Sequence, residues 1–299
     1  MQFGQIALGV WRRLIKRPVR NVLIALLLVC GTAFAAIAMK QPRLDRDWVP
    51  HLAVMPVIET TETGFTLAPA TDYAFNEHDP VSTGYVSVSE AFADLRDVWF
   101  MVEPQPGGDY AAHTLVMFEF ANDHMIGLTI EARRHGQQKY SPLQGLFNNY
   151  ELAYIWSTPR DLLTRRAVML GKEIFVYPLQ LTEQQKQDFL KALLAATTEV
   201  NTRPRFYNTL TSNCTNELAK VAGLSWHYSW VLTGYSPQHL FELGMIPGDT
   251  FEAAREQARL TRDIRGWNGL SSEDFSRELL KKLHHDAPIV QNGAADRTH

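Results

Sequence analysis

Residues 112–133 read AHTLVMFEF, ANDH, MIGLTIEAR: two nine-residue runs rich in apolar, aromatic and β-branched residues around a turn-forming set. The pattern predicts a β-hairpin, and the parity of its loop decides which side chains share a face. If residues 121–123 form a three-residue loop, or 120–124 a five-residue loop, paired positions sum to 244 and His113 stands opposite Glu131. A loop of two or four residues gives 245 and turns Glu131 to the other face. Glu119 shares the face of His113 by the period of two, but six residues of strand put it about 20 Å away.

Around this hairpin, residues 65–67, 81–88, 99–102, 150–156 and 173–179 read as further strands, with a turn or short helix at 91–98. Residues 43–70, rich in Pro, Thr and charge, read as a tether entering the first strand. Helical runs are expected at 157–170, 215–222, 251–260 and 272–283. Another is expected from the Thr182-x-x-Gln185 capping box to about Asn201, where Arg203-Pro204 ends it. Hairpins mixed with helices, without strict strand–helix alternation, internal repeat or long linker, indicate an α+β fold.

The chain has 299 residues, 45% hydrophobic and 20% charged, which are globular values. Residues 1–40 hold six basic residues and no acidic one, so residues 41–299 carry 23 basic against 32 acidic, a net charge of −9. That acidic body argues against nucleic acid as a partner. Two cysteines, Cys30 and Cys214, exclude a disulfide scaffold and multi-cysteine metal sites. Glycine-rich phosphate loops, His-Glu-x-x-His and Gly-x-Ser-x-Gly are absent, and the pair His284-His285 is expected to lack other ligands. Neither a metal nor a cofactor is expected.

Residues 22–39, VLIALLLVCGTAFAAIAM, form an uncharged stretch long enough to cross a bilayer as a helix. Five basic residues precede it and Lys40 and Arg43 follow, which favours a cytoplasmic N-terminus. A cleaved signal peptide is the alternative, because Ala33-Phe34-Ala35 resembles a cleavage site. Either way residues 41–299 cross to the same side. The expected organisation is a basic cytoplasmic segment (1–20), a transmembrane anchor (21–40), an extracytoplasmic domain (41–265), and a C-terminal helix with a polar tail (266–299).

Cys214 is then the one cysteine of the exported body, at the start of a helical run behind the capping candidates Thr211, Ser212 and Asn213. The positive end of a helix dipole favours the nucleophilic thiolate there; a buried inert thiol is the alternative. Among ten histidines His113 alone sits inside a strand-like run beside small residues, as a base or as a hydrogen-bonded core histidine. Glu131 is the candidate to orient it.

In order, Ala-His113-Thr-Leu, Ile130-Glu131-Ala-Arg133-Arg134, Lys139-Tyr-Ser-Pro142-Leu, Tyr150-Glu151-Leu, Pro159-Arg160-Asp161 and Phe206-Tyr-Asn-Thr-Leu-Thr-Ser-Asn-Cys214-Thr follow one another. Over roughly residues 45–260 this series resembles the Lnb-type N-terminal periplasmic domain family. The His-before-Cys order is similar to circularly permuted NlpC/P60 and lecithin:retinol acyltransferase-like papain folds. Ala112 departs from the glycine often found before the histidine.

The resemblance implies an antiparallel sheet packed on helices and a thiol acyltransferase or hydrolase at the inner membrane, with its catalytic domain in the periplasm. The family's namesake moves a fatty acyl chain from a phospholipid to the amine of a lipoprotein cysteine. Cys214, His113 and Glu131 match nucleophile, base and orienter. Asn213, Ser212 and the Cys214 N–H are expected near the oxyanion. Arg133, Arg134 and Lys139 are expected either at phosphate head groups or as a solvated strand end. Tyr207 and Trp226 are expected either along an acyl groove or in the core. The alternatives are a cell-wall amidase or endopeptidase, a lipid hydrolase, or a non-catalytic anchored scaffold in which Cys214 is unreactive.

Overall fold

A computed structural model describes residues 21–32 and 34–286. The expected basic segment 1–20, Ala33 of the cleavage-like triplet and the polar tail beyond 286 lie outside the described residues. Two units emerge, one up to Pro42 and the other from Arg43 on. The first contains the helix Asn21–Ala38, apolar and long enough to span a bilayer, with Leu27, Leu28 and Phe34 exposed.

The second unit is built on ten strands: β1 (Val57–Thr60), β2 (Gly64–Thr71), β3 (Ala74–Phe75), β4 (Pro80–Ser82), β5 (Tyr85–Ala91), β6 (Leu95–Pro104), β7 (Ala112–Phe120), β8 (Met125–Arg133), β9 (Glu151–Ser157) and β10 (Phe175–Pro178). Eight of them form one sheet in the order β1-β2-β9-β8-β7-β6-β10, with β5 also on β2, while β3 and β4 pair separately. All sheet neighbours are antiparallel except β2 and β9, which meet in parallel at Thr71 and Ser157. The sheet is therefore mixed rather than wholly antiparallel. The hydroxyls of Thr71 and Ser157 lie 2.7 Å apart across that junction.

Residues 43–70 are not simply a tether, because β1 and much of β2 lie within them. The polar turn between these strands and the exposed side chains of β1 hide the hairpin from a hydrophobicity pattern. Likewise 91–98 is split between a short 3-10 turn (Phe92–Asp94) and the start of β6.

Helices α1 (Pro159–Thr164), α2 (Glu183–Thr202), α3 (Cys214–Val221), α4 (Ser236–Glu242), α5 (Phe251–Gln257), α6 (Thr261–Gly266) and α7 (Ser272–Asp286) cover both faces. Thr182 and Gln185 make the reciprocal capping box that opens α2. Val116, Phe118, Ile126, Leu128 and Trp156 pack one face against Phe189 and Leu193 of α2 and Leu218 of α3. Leu115, Met117 and Met125 pack the other against Leu162 and Leu163 of α1 and Phe275 and Leu279 of α7. Strands buried on both faces read as near-continuous apolar runs, as β7 and β8 do. Because α7 enters this second core, the body does not end at 265.

The entrance to β7 is fixed by a segment far along the chain. Thr233 Oγ1 accepts from the Ala112 N–H at 2.9 Å and donates to the Ala112 carbonyl at 2.6 Å. The Gly234 N–H donates to the Tyr110 carbonyl at 3.1 Å. A Cβ on Gly234 would overlap the backbone carbonyl of Asp109. Gly234→Ala is therefore expected to lower stability by about 1–3 kcal/mol, seen as a fall in the urea midpoint. Gly266→Ala, at the end of α6 with open space around it, is expected to be neutral or stabilising by up to about 1 kcal/mol.

Candidate active site

The segment before α3 is folded so that Cys214 begins the helix. Asn208 and Ser212 exchange backbone hydrogen bonds at 3.1 and 2.9 Å, and Asn208 Oδ1 accepts from the Leu210 and Thr211 N–H groups. Asn213 then caps the helix, its Oδ1 accepting from the Asn216 N–H at 2.8 Å. Cys214 follows as the first helical residue, 4% exposed, where the positive end of the helix favours an anion. The hydroxyls of Thr215 and Thr114, 2.9 Å apart, fasten α3 to β7.

The hairpin's partners sum to 244, from Glu119 with Met125 to Leu115 with Thr129, and the Phe120 N–H donates to the His124 carbonyl at 2.9 Å in the same register. Beyond Leu115 and Thr129 the two strands part: β7 stays with β6 as far as Ala112, and β8 stays with β9 as far as Arg133. Past that fork the Thr114 N–H donates to Cys214 Sγ at 3.5 Å. The fork explains how a thiol carried on one face of the sheet meets an imidazole whose strand neighbours of the same parity face the other way.

His113 Nε2 lies 2.8 Å from Thr129 Oγ1 and 3.2 Å from Glu131 Oε1. Nε2 is engaged there, which leaves Nδ1 as the ring nitrogen for Cys214, and the two side chains line one cavity. Thr129 donates to Glu131 Oε1 at 2.8 Å. Arg166 secures the carboxylate from behind, with Nη2 at 3.0 Å from Glu131 and 3.1 Å from Thr129, and Nε at 3.2 Å from Glu103. Its Nη1 donates to the Leu162 carbonyl at 2.7 Å.

Burial alone would push the Cys214 thiol up, but the His113 charge and hydrogen bonds from His113 and Thr114 bring it from 9.0 down to about 7. Burial would push His113 down, yet the Cys214 and Glu131 charges raise it from 6.5 to about 10. Burial would raise Glu131, but His113 and Arg166 hold it well below the ordinary carboxylate range. Between about pH 7 and 10 the favoured state of the pair is thiolate and imidazolium.

The site opens on a polar cavity of about 250 Å³ whose walls include Tyr140, Tyr207, Arg134 and Arg165. A second, mainly apolar groove of about 600 Å³ begins at Thr215 and runs along α3, between Val116, Phe189, Leu218, Leu240 and Met245.

Of the residues expected from sequence, Cys214, His113 and Glu131 come together, and Tyr207 and Arg134 reach the cavity wall. Tyr207 is buried, its hydroxyl 3.1 Å from that of Tyr140. Three expectations are corrected. Asn213 has its amide committed to the Thr209 and Trp230 carbonyls, both at 2.9 Å, besides its capping bond, so it is a structural cap. Ser212 donates to Glu217 at 2.7 Å, facing into the base of α3. Arg133 is buried, bonded to the Leu52 and Ala53 carbonyls at 2.8 and 2.7 Å and lying 4.2 Å over Trp48, so it ties down the segment before β1. Trp226 is 79% exposed and outside the groove lining, and Lys139 is exposed and outside the cavity lining.

His284 does have acidic neighbours, contrary to expectation. Its Nε2 is 2.7 Å from Glu119, and Asp97 completes a trio with ligand atoms within 4.8 Å of one another. Those carboxylates already receive Trp99 Nε1 at 3.0 Å and Lys186 Nζ at 3.4 Å. Sequence reasoning missed Thr129, Arg166 and Glu103. Thr129 was within reach, because it shares a strand face with Glu131 by the period of two. Arg166 carried no local signal.

Residues 90–233 match the family described as the Lnb N-terminal periplasmic domain. The match covers β6 to β9, His113, Glu131, Arg166 and Cys214, and it ends at Thr233, which holds the entrance to β7. Neither a curated protein nor a solved structure matches the chain.

Alkylation of Cys214 by iodoacetamide is expected to rise with a midpoint near pH 7. In His113→Gln the cation is gone while the burial remains, so the midpoint is expected above 9.0. Glu131→Gln should give a smaller rise. Rate–pH profiles on the three proteins check this, and a midpoint unmoved in both variants contradicts the arrangement.

Proposed function

We propose, from the premise that residues 90–233 belong to the Lnb N-terminal periplasmic domain family, that this chain is a thiol acyltransferase. It moves a fatty acyl chain from a phospholipid to an amine, the N-terminus of a lipoprotein. In this reading Asn21–Ala38 is an inner-membrane anchor with a cytoplasmic N-terminus, and the body works in the periplasm close to its lipid donor. The observation that carries the proposal is the electrostatically coupled row Cys214–His113–Glu131, with the thiol at a helix start on the wall of a polar cavity and the adjacent Thr215 on an apolar groove. The helix-start cysteine meeting a strand histidine that precedes it in sequence also supports a permuted papain-like fold.

In the first half-reaction the Cys214 thiolate attacks the ester carbonyl carbon, and the electron pair moves onto the carbonyl oxygen. The Cys214 N–H, in the helix's first turn where the helix itself offers no acceptor, is the candidate donor to that oxyanion. Collapse breaks the carbon–oxygen bond to the glycerol, whose oxygen takes the proton from His113 and leaves as a lysophospholipid. In the second half the amine attacks the thioester and His113 accepts its proton. Collapse then expels the thiolate and leaves an amide. Glu131 keeps the ring oriented and stabilises the imidazolium throughout. The groove beside Thr215 falls within the usual range of ligand sites, about 300–1,000 Å³, and its apolar walls suit an alkyl chain.

Incubation with phospholipid is expected to leave an acyl mass on Cys214 that hydroxylamine removes. Adding a peptide with an N-terminal diacylglyceryl-cysteine should convert the adduct to an amide. Cys214→Ala should lower amide formation by about 10³-fold or more. Intact-protein and product mass spectrometry read all three. Free fatty acid without amide would favour a hydrolase, and a Cys214 that never acylates would defeat the proposal.

A further inference from the structure

Three distant segments converge beside the candidate site on one nitrogen atom. His51, from the 3-10 turn Pro50–Leu52, accepts at Nε2 from Arg134 Nη2 at 3.1 Å and from Arg165 Nη2 at 2.9 Å. Arg134 stands just past the end of β8, and Arg165 opens the wide π turn Arg165–Met169 that follows α1. Both arginines line the cavity that contains Cys214, His113 and Glu131.

An imidazole nitrogen that accepts two guanidinium bonds is unprotonated, so His51 offers these cations no charge. Its burial, and then the Arg165 charge, push its titration down to about 3. Among the described residues neither Arg134 nor Arg165 forms an ion pair with a carboxylate. Of the acids that act on Arg165, Glu131 and Glu103 are bound to Arg166, while Asp161, whose burial raises its titration, accepts from the Tyr73 N–H. Burial and the Arg166 charge accordingly hold Arg165 below its ordinary range.

Counting Arg134, Arg165 and Arg166 against Glu103 and Glu131 leaves one positive charge in excess, and the thiolate–imidazolium pair adds none. Two guanidiniums around a neutral acceptor, with an excess of +1 among the charges lining the cavity, suit an anion of one charge and two exposed oxygens. A carboxylate inside the protein would have cancelled that charge; the fold places a histidine there instead.

We propose that Arg134 and Arg165, held in place by His51, bind the phosphodiester of the acyl donor while its ester carbonyl lies at Cys214. This rests on the acyl-transfer reading and adds to it the head-group chemistry that the site selects. The phosphodiester makes no covalent change. It fixes the glycerol backbone, so that one ester is presented to sulfur, and a donor lacking the phosphate loses this positioning.

The test uses the full chain in detergent and two donors of equal acyl chains, a phosphatidylglycerol and the matching diacylglycerol. Single-turnover acylation of Cys214 is followed by intact mass. The wild type should acylate faster from phosphatidylglycerol. Arg165→Gln and Arg134→Gln should each slow that reaction about 10- to 100-fold, through weaker donor binding, and slow the diacylglycerol reaction by a clearly smaller factor. Arg165→Lys, which keeps the charge but loses the planar fork, should fall between. Equal losses on both donors, or no loss on either, overturn the proposal.

A binding arm is independent of the chemistry. Glycerophosphoglycerol, which has no acyl chain, should bind Cys214→Ala at low salt by calorimetry, and adding Arg165→Gln should abolish it. Inorganic phosphate binding as tightly as the diester would mark a free-anion site and overturn the head-group assignment. Diester binding that depends on Arg165, without any acylation in the wild type, would keep the anion site and defeat the acyl-transfer reading instead.

Discussion

The buried guanidinium of Arg166 is the interaction on which the site depends. A carboxylate as poorly solvated as Glu131, 19% exposed, is pushed towards its protonated form unless paired, and a neutral acid could not hold an imidazolium. Arg166, with only 2% of its side chain exposed, meets Glu131 and Glu103 together and anchors itself on the Leu162 carbonyl. His113 and then Arg166 keep Glu131 ionised, Cys214 and then Glu131 keep His113 protonated, and His113 lowers the thiol. The chain of dependence runs from the turn after α1, behind the sheet, to a sulfur at the start of α3 in front of it. Removing one partner of such a row leaves an unpaired charge in a poorly solvated place, which costs more than the pair itself contributes.

The parting of β7 from β8 is what lets that row cross the sheet. A fully zipped hairpin would keep the two faces apart, with Val116 and Leu128 on one and Leu115 and Thr129 on the other. The flanking ladders continue, so the fork weakens only the centre, and its far end is pinned by Thr233 at Ala112. The same arrangement divides the surroundings of Cys214. The charged cavity has Ile130, Ala132 and Cys214 of the front core on its wall together with Arg165 and Arg166 from the turn after α1, and the apolar groove runs along α3 in front. A substrate with a charged end and an alkyl end matches that division.

What could be read in advance was local or periodic. Loop parity determined whether Glu131 could face His113, and the observed register, with partners summing to 244, is the odd-loop one. The Thr182–Gln185 box and the cysteine behind capping residues follow from rules spanning four residues. What stayed hidden was set by partners far along the chain. Arg133 and Arg134 are adjacent in sequence, yet one stacks on Trp48 and the other meets His51, 83 residues away. Arg165 and His51 are 114 residues apart. Asn213 was legible as a cap but also as an oxyanion donor, and only the Thr209 and Trp230 carbonyls decide between the two. The hairpin β1–β2 was lost because its edge strand is four residues long and mostly exposed.

The 4% exposure of Cys214 bears on its survival as an unpaired sulfur. Exchange with a disulfide requires the attacking and departing sulfurs to approach in line, which brings a bulky partner up to the thiolate. A sulfur recessed between α3 and the forked strands admits a slender oxidant far more readily than another protein's cystine. Its durability therefore rests on molecular sieving, with no second cysteine in the body to protect it.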